Sequence, residues 1–160
     1  MNIVAFGSGK VASHIKNTLG AKIVGRAECD ITIRDQVVNA VEKYNCRVVI
    51  NCAAKTNLEF CEENKVESFS SNTLGPIVLA DVCKQKNIKL VHISSGCLFD
   101  GNKMPMTEED TPEPTVWYTR TKLWADDAIL NIGYENILIV RPRQLISSSV
   151  KLTYKILING

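Results

Sequence analysis

Tyr118 and Lys122 put a phenol and an amine four residues apart. On a helix that spacing sets both side chains on one face, and a nearby ammonium lowers a phenol's pKa from about 10 toward neutrality. Tyr118 would then be a usable acid. The plainer account of such a pair is a ring packed on a lysine stem. Ser94-Ser95 favours the chemical account, because it closes the apolar run Lys89-Leu90-Val91-His92-Ile93. The carboxyl ends of parallel strands are where open α/β sheets bind ligands. A hydroxyl there can hydrogen-bond a carbonyl that Tyr118 protonates.

A second constellation lies near the amino terminus. Gly7-Ser8-Gly9-Lys10-Val11-Ala12 fits G-x-G-x-x-A between a first strand and a first helix, where glycines permit a tight turn and let backbone amides approach a pyrophosphate. A triphosphate-binding P-loop would need Ser or Thr after the Gly-Lys pair and a glycine five positions before Gly9, where Val11 and Val4 stand instead. The dinucleotide reading is the one that survives. An acid about 20 residues beyond such glycines holds ribose hydroxyls, whereas an arginine accepts a 2′-phosphate. Arg26 sits at that distance with Glu28 just after it, which favours NADP(H) over NAD(H). Asp30 precedes a helix whose predicted N-cap is Thr32, and it either caps that turn or approaches the adenine.

The elements that must position these residues alternate strictly. Ile3-Val4-Ala5-Phe6 reads as a strand buried on both faces, followed by a helix through Val11, Ile15 and Leu19 that Gly20 ends. A strand around Lys22 to Gly25, a helix through Val37, Val38 and Val41, and the strand Val48-Val49-Ile50 come next. A long helix is predicted from about Val66 to Lys86, kinked at Pro76, before the strand that ends at Ile93. A turn-rich acidic loop from Gly96 to Thr115, a helix from Trp117 to Asn131 and the strand Ile137-Leu138-Ile139-Val140 complete the pattern. Strands and helices alternating at this pitch imply βαβ crossovers, hence a doubly wound parallel α/β sheet, the NAD(P)-binding Rossmann fold, in one domain.

Composition agrees. The chain has 160 residues, 45% hydrophobic and 22% charged, which lies in the ordinary globular range. Lys and Arg number 19 against 17 Asp and Glu, so the net charge of +2 argues against a nucleic-acid binder. Residues 1–26 and the residues after Glu135 each carry four basic and no acidic side chains, so the middle is −6 against the total of +2. Both ends could face one anionic ligand. The six cysteines include no C-x-x-C pair, no three-part secretory signal opens the chain, and no run approaches the ~20 apolar residues of a membrane span. Reduced thiols in a cytoplasmic, metal-free protein that spans no membrane are expected.

Several ordered segments resemble the short-chain dehydrogenase/reductase superfamily, in its extended nucleotide-sugar branch that includes dTDP-4-dehydrorhamnose reductase. Val49-Ile50-Asn51-Cys52-Ala53-Ala54-Lys55-Thr56 resembles that family's V-I-N-x-A-A-x-T, and Asn72-Thr73-Leu74-Gly75-Pro76 its N-x-x-G-P helix. His92-Ile93-Ser94-Ser95-Gly96-Cys97-Leu98-Phe99-Asp100-Gly101 is similar to H-I-S-T-D-Y-V-F-D-G, and Tyr118 to Lys122 to Y-G-x-S-K. The Ser-Gly-Cys-Leu-Phe run, residues 57–62 and residues 141–148 are most similar to the eukaryotic and viral rhamnose synthase reductases.

The resemblance implies a reductase of 4-keto-6-deoxy sugar nucleotides. In it Ser95 orients the keto group, Tyr118 donates the proton, Lys122 holds the cofactor ribose and tunes Tyr118, and Asn72 places Lys122 through water. Gly7, Gly9, Lys10, Val11, Ala12, Arg26, Asp30, Asn51, Ala53 and Ala54 would line the NADPH site. Three departures stand out. The glycine pattern is one residue shorter than the family's G-x-x-G-x-x-G and ends in Ala12, Gly96-Cys97 replaces an Asp-Tyr pair, and the chain stops at Gly160 where relatives continue into a substrate-closing lobe. A single dinucleotide domain over residues 1–160, with that lobe largely absent, is the expected organisation. The rival readings are a regulatory or truncated NADP-binding module without turnover, and a nucleotide-sugar epimerase. A dehydratase is disfavoured because Gly96-Cys97 offers no acidic pair. His14 and His92 read as structural, and Trp117 and Trp124, seven apart, as a packing stripe that suits a homodimer.

Overall fold

The computed structural model describes residues 2–99, 107 and 109–143. Asp100, Gly101, Glu108 and residues 144–148 of the motifs above lie outside the described residues, as do Lys151 and Lys155 of the basic C-terminal stretch. Five strands form one parallel sheet: β1 (Ile3–Phe6), β2 (Lys22–Val24), β3 (Val48–Asn51), β4 (Lys89–Ile93) and β5 (Ile137–Val140), in the order β2-β1-β3-β4-β5. Every strand predicted from sequence is present, and the doubly wound Rossmann class holds. Chain order reverses at β1, which has β2 on one side and β3 on the other. That switch point is where doubly wound sheets open a crevice at their carboxyl edge.

Alternation within the strands sorts the core. Val4 and Phe6 of β1 join Val49, Leu90, Val24 and the helices α2 (Arg34–Lys43), α5 (Gly75–Lys86) and α6 (Trp117–Leu130) on one face. Ala5, Val48 and Ile50 point to the other, toward Ile15 of α1 (Lys10–Leu19). α1 stops where Gly20 turns left-handed at φ 65° and donates its N–H to the Lys16 carbonyl.

Two local readings change. A helix α3 (Leu58–Glu63), capped by the Asn57 side chain accepting from the Phe60 N–H at 2.7 Å, precedes the long helix and had no periodic signal because it is only six residues long. The long helix itself runs as α4 (Lys65–Phe69), one wide π-turn (Ser70–Leu74) and α5. The kink assigned to Pro76 is therefore taken up before it. Proline lacks an N–H and crowds the carbonyl four residues back, here Asn72, so the helix widens there. Gly75 sits in this joint because a Cβ would come within 2.6 Å of the Ile31 side chain. α2 begins after Ile33 rather than Thr32, because the Asp30 carboxylate already takes the Thr32 N–H at 3.0 Å and its hydroxyl at 2.7 Å, closing a turn of its own.

Candidate active site

The cleft at the switch point has a volume of about 560 Å³ and is lined by the β1–α1 loop, the end of β2 and the residues after β3. Gly7 is required there on two counts. Its φ is +110°, and a Cβ would meet the Ala53 N and Cys52 C atoms at 2.9 Å. Gly9 differs, since a Cβ there would meet nothing within 4 Å. It leaves open space over the start of α1, whose first N–H groups have no side-chain cap. Free amides, the positive end of a helix and room for an oxyanion suit a pyrophosphate.

Gly7, Gly9, Lys10, Val11, Arg26, Asp30, Ala53 and Ala54 all line this cleft, as the sequence reading grouped them. Ala12 and Asn51 do not. Ala12 is fully buried against the fold, in keeping with the close helix–sheet approach that its place in the motif serves. The Asn51 amide is turned into the sheet, its Oδ1 accepting from the Ala53 N–H and its Nδ2 meeting His92 Nδ1, each at 3.0 Å. It shapes the wall without facing the cavity. Arg26 is no free cation: its Nε lies 3.4 Å from Asp30 and a terminal nitrogen 3.4 Å from Glu67, which Lys55 also pairs at 2.7 Å. Glu67, on α4, thus ties the β2 rim of the cleft to the β3 rim. Hydrogen bonds from the Thr32 N–H and hydroxyl hold Asp30 below the usual carboxylate range, with Arg26 adding to them.

Ser95 and Tyr118 come together at the end of β4. Ser95 Oγ accepts from the Cys97 N–H at 3.2 Å, which caps the short 3-10 turn Gly96–Leu98 and fixes the hydroxyl. Gly96 is needed in that turn because the Arg143 backbone passes within 2.8 Å of where its Cβ would stand. Burial pushes the Tyr118 phenol up, and a hydrogen bond from Ser95 draws it part of the way back. That corrects the expected lowering by Lys122. The Lys122 ammonium is instead turned under β4, 2.8 Å from the Ile93 carbonyl and 3.4 Å from His92 Nε2, and burial lowers it to about 8.

Asn72, in the π-turn, also differs from its expected role. Its Oδ1 accepts from the Lys55 N–H at 2.7 Å, and its Nδ2 donates to the Lys55 carbonyl at 3.0 Å and to Thr121 Oγ1 at 3.1 Å. Both amide hydrogens are committed, so Asn72 fixes a cleft-lining residue to the helix that carries Lys122. His92, read as structural, is fully buried and hydrogen-bonded to Asn51 beneath the site, and Asp126 was not singled out at all. Its position one turn beyond Lys122 on α6 was the available signal. No three metal-ligating side chains cluster among the described residues, and no helix among them is long and apolar enough to cross a membrane.

Comparison with known proteins follows this geometry. Residues 1–157 match the family described as RmlD substrate binding domain. The chain is 34% identical over 128 residues to the bifunctional dTDP-4-dehydrorhamnose 3,5-epimerase/dTDP-4-dehydrorhamnose reductase of Arabidopsis thaliana, covering 73% of this chain and 42% of the relative. A crystal structure of a dTDP-4-dehydrorhamnose reductase from Clostridium acetobutylicum superposes with a TM-score of 0.80 at 30% identity, over 88% of this chain and 52% of the other. The Bacillus anthracis dTDP-4-dehydrorhamnose reductase, solved in complex with NADP, superposes with a TM-score of 0.81 at 23% identity, over 88% and 53%. The chain spans about half the length of the relatives it matches.

Proposed function

Because the chain belongs to the RmlD substrate binding domain family, we propose that it is the cofactor-binding and proton-donating part of an NADPH-dependent reductase. Its substrate is a 4-keto-6-deoxyhexose on a dTDP or UDP carrier, in nucleotide-sugar and L-rhamnose biosynthesis. The observation that carries this reading is the Ser95–Tyr118 pair fixed at the carboxyl edge of the sheet beside the glycine-lined cleft. Gly7, Gly9, Lys10 and Val11 would hold the pyrophosphate, with Ala53 and Ala54 opposite. Asp30 stands on the adenine side, and Arg26 turns from its carboxylates to a 2′-phosphate. When bound, the reduced nicotinamide supplies the hydride.

The chain's own residues do the rest. Ser95 donates a hydrogen bond to the substrate carbonyl oxygen, stabilising the charge that grows there. Tyr118 gives up its phenolic proton to that oxygen, and the raised phenol keeps the proton in place until the oxygen becomes basic enough to take it. Lys122, buried under β4, would turn from the Ile93 carbonyl to reach the ribose. The six free thiols suit a reducing, cytoplasmic setting, and the Trp117–Trp124 pair, edge to face at 5.2 Å with Trp124 partly exposed, offers a face for a homodimer. A rival reading, a dinucleotide-binding module without turnover, draws on Lys122 facing His92 rather than Tyr118.

A fluorescence titration with NADPH and then NADH, on the wild type and Arg26→Ala, tests the cofactor half. NADPH binding should weaken by about tenfold in the variant, with NADH little changed. Binding of neither dinucleotide would remove the reading. Tyr118→Phe, assayed on a 4-keto sugar nucleotide, separates the rivals: a wild type that binds NADPH but turns nothing over is the module.

A further inference from the structure

Behind Ser95 and Tyr118 lies a buried polar group that the chemistry above does not use. His92, from β4, and Asp126, from α6, are 0% exposed, and Lys122 between them is 1% exposed. The hydrogen bonds fix each group's role. Because Asn51 Oδ1 accepts from the Ala53 N–H, its Nδ2 is the atom that meets His92, so His92 Nδ1 accepts and Nε2 carries the proton. That Nε2–H faces Lys122 Nζ at 3.4 Å and Asp126 Oδ1 at 3.8 Å.

Asp126 cannot swing to a better position. Its Oδ2 accepts from Ser94 Oγ and from Arg141 Nε, each at 2.8 Å, which leaves Oδ1 as the buried side-chain oxygen without a hydrogen bond among the described residues. An unpartnered buried carboxylate oxygen is costly unless its charge is used. Here Oδ1 lies 3.8 Å from His92 Nε2, and the carboxylate sits one turn beyond Lys122 on α6, close enough for its charge to act on the ammonium.

We propose that Asp126, with a neutral His92 packed beside it, is a positioning residue that sets the pH range over which Lys122, held by the Ile93 carbonyl, carries a proton beneath the site. The other groups around Lys122 do not do this. From the end of β3 comes the half-buried Cys52 thiol, and from β4 the Ile93 carbonyl, a neutral acceptor at 2.8 Å. One turn back on α6, Tyr118 is turned to Ser95, and Arg141 reaches Lys122 only through Asp126. Asp126 supplies the negative charge that opposes the cost of burying the ammonium, and burial keeps His92 neutral so that it adds no second cation. The proposal rests on the reductase reading only for the use made of Lys122, not for its charge.

The test reads Lys122 directly. In the full chain without ligand, the carbon-13 shift of the Lys122 ε-methylene is followed against pH, and nitrogen-15 spectra report the His92 tautomer. The expected results are a Lys122 midpoint near 8 and a neutral, Nε2-protonated His92 from neutral to mildly alkaline pH. Asp126→Asn should lower the midpoint by about one pH unit, tenfold in proton affinity, and Asp126→Glu should restore most of it. A Lys122 midpoint unchanged in Asp126→Asn overturns the proposal, as does an Nδ1-protonated or cationic His92. Should Asp126→Asn not fold, the carbon-13 shift of the Asp126 carboxyl in the wild type decides: an ionised carboxylate that responds to the Lys122 transition upholds the proposal, and a carboxyl protonated through that transition refutes it. An NADPH titration across the same pH range is read separately. Binding should fall as Lys122 loses its proton, about one unit earlier in Asp126→Asn. Absence of NADPH binding at every pH refutes the reductase reading and leaves the Lys122 midpoints to decide this one.

Discussion

Around β1 and β3 the groups that face the cleft are backbone amides, and the charged side chains near them are exposed: Arg26 is 61% exposed, with Glu67 and Lys55 on the opposite rim. Around β4 and α6 the polar groups are side chains taken out of water, with Lys122, His92 and Asp126 packed beneath Ser95 and Tyr118. The first region recognises by leaving space, so what matters is the absence of atoms. The second works by excluding water, so what matters is how each buried donor and acceptor is partnered. Substitutions should therefore fail for different reasons in the two places.

The sharpest contrast lies within the first region. Gly7→Ala combines a strained positive φ with a collision against the Ala53 and Cys52 backbone, and it should lower stability by about 4 kcal/mol in a denaturant melt. Gly9→Ala meets no atom, so stability should change by less than about 0.5 kcal/mol while NADPH binding drops. Equal destabilisation by both would erase the idea that this loop is built around open space.

In the second region the effects are electrostatic. The unfolded chain keeps the Lys122 proton up to the ordinary lysine pKa of 10.5, whereas the folded chain releases it near 8. Between these values the unfolded state binds more protons, so folding becomes more favourable as pH rises. Measured against Lys122→Met, the wild type should gain about 3 kcal/mol from pH 8 to 10.5, and a flat difference would mean that Lys122 is solvated. Arg141→Met strips a partner from Asp126 and should cost about 2 kcal/mol, the low side for a broken buried pair because Arg141 is itself partly exposed. The smallest effect is kinetic. Alkylation of the native protein should label exposed Cys97 first, and Cys52, half-buried at the cleft with its thiol pushed up to about 12, much later.

The same contrast explains what the sequence made legible. Strands β1 to β5 announce themselves as short apolar runs, and the glycine loop shows because Gly7 and Gly9 owe their identity to local backbone and space. Ser95 and Tyr118 were legible as a pair because each sits at a strand end or helix face that sequence can place. Where Lys122 points was not. Its ammonium is held by the Ile93 carbonyl, two elements away and beside His92, and its charge is opposed by that of Asp126, whose partners Ser94 and Arg141 come from the ends of β4 and β5. Asn72 escaped for the same reason, since its partners Lys55 and Thr121 are 17 and 49 residues distant. Arg26 was placed correctly at the cleft, but its engagement by Glu67 depends on a helix 41 residues on.

The π-turn at Ser70–Leu74 makes this last contact a matter of angular phase. A π-turn holds one residue more than an α-turn, and each residue of an α-helix advances the chain by about 100°. Winding these same residues as an uninterrupted α-helix would give better backbone hydrogen bonds. It would also rotate α4 by about 100° against α5 and carry Glu67 off the cleft, away from both Arg26 and Lys55. The imperfect turn acts as a phase shifter: it lets one continuous helix present α5 to the core and the Glu67 carboxylate to the glycine-lined cleft.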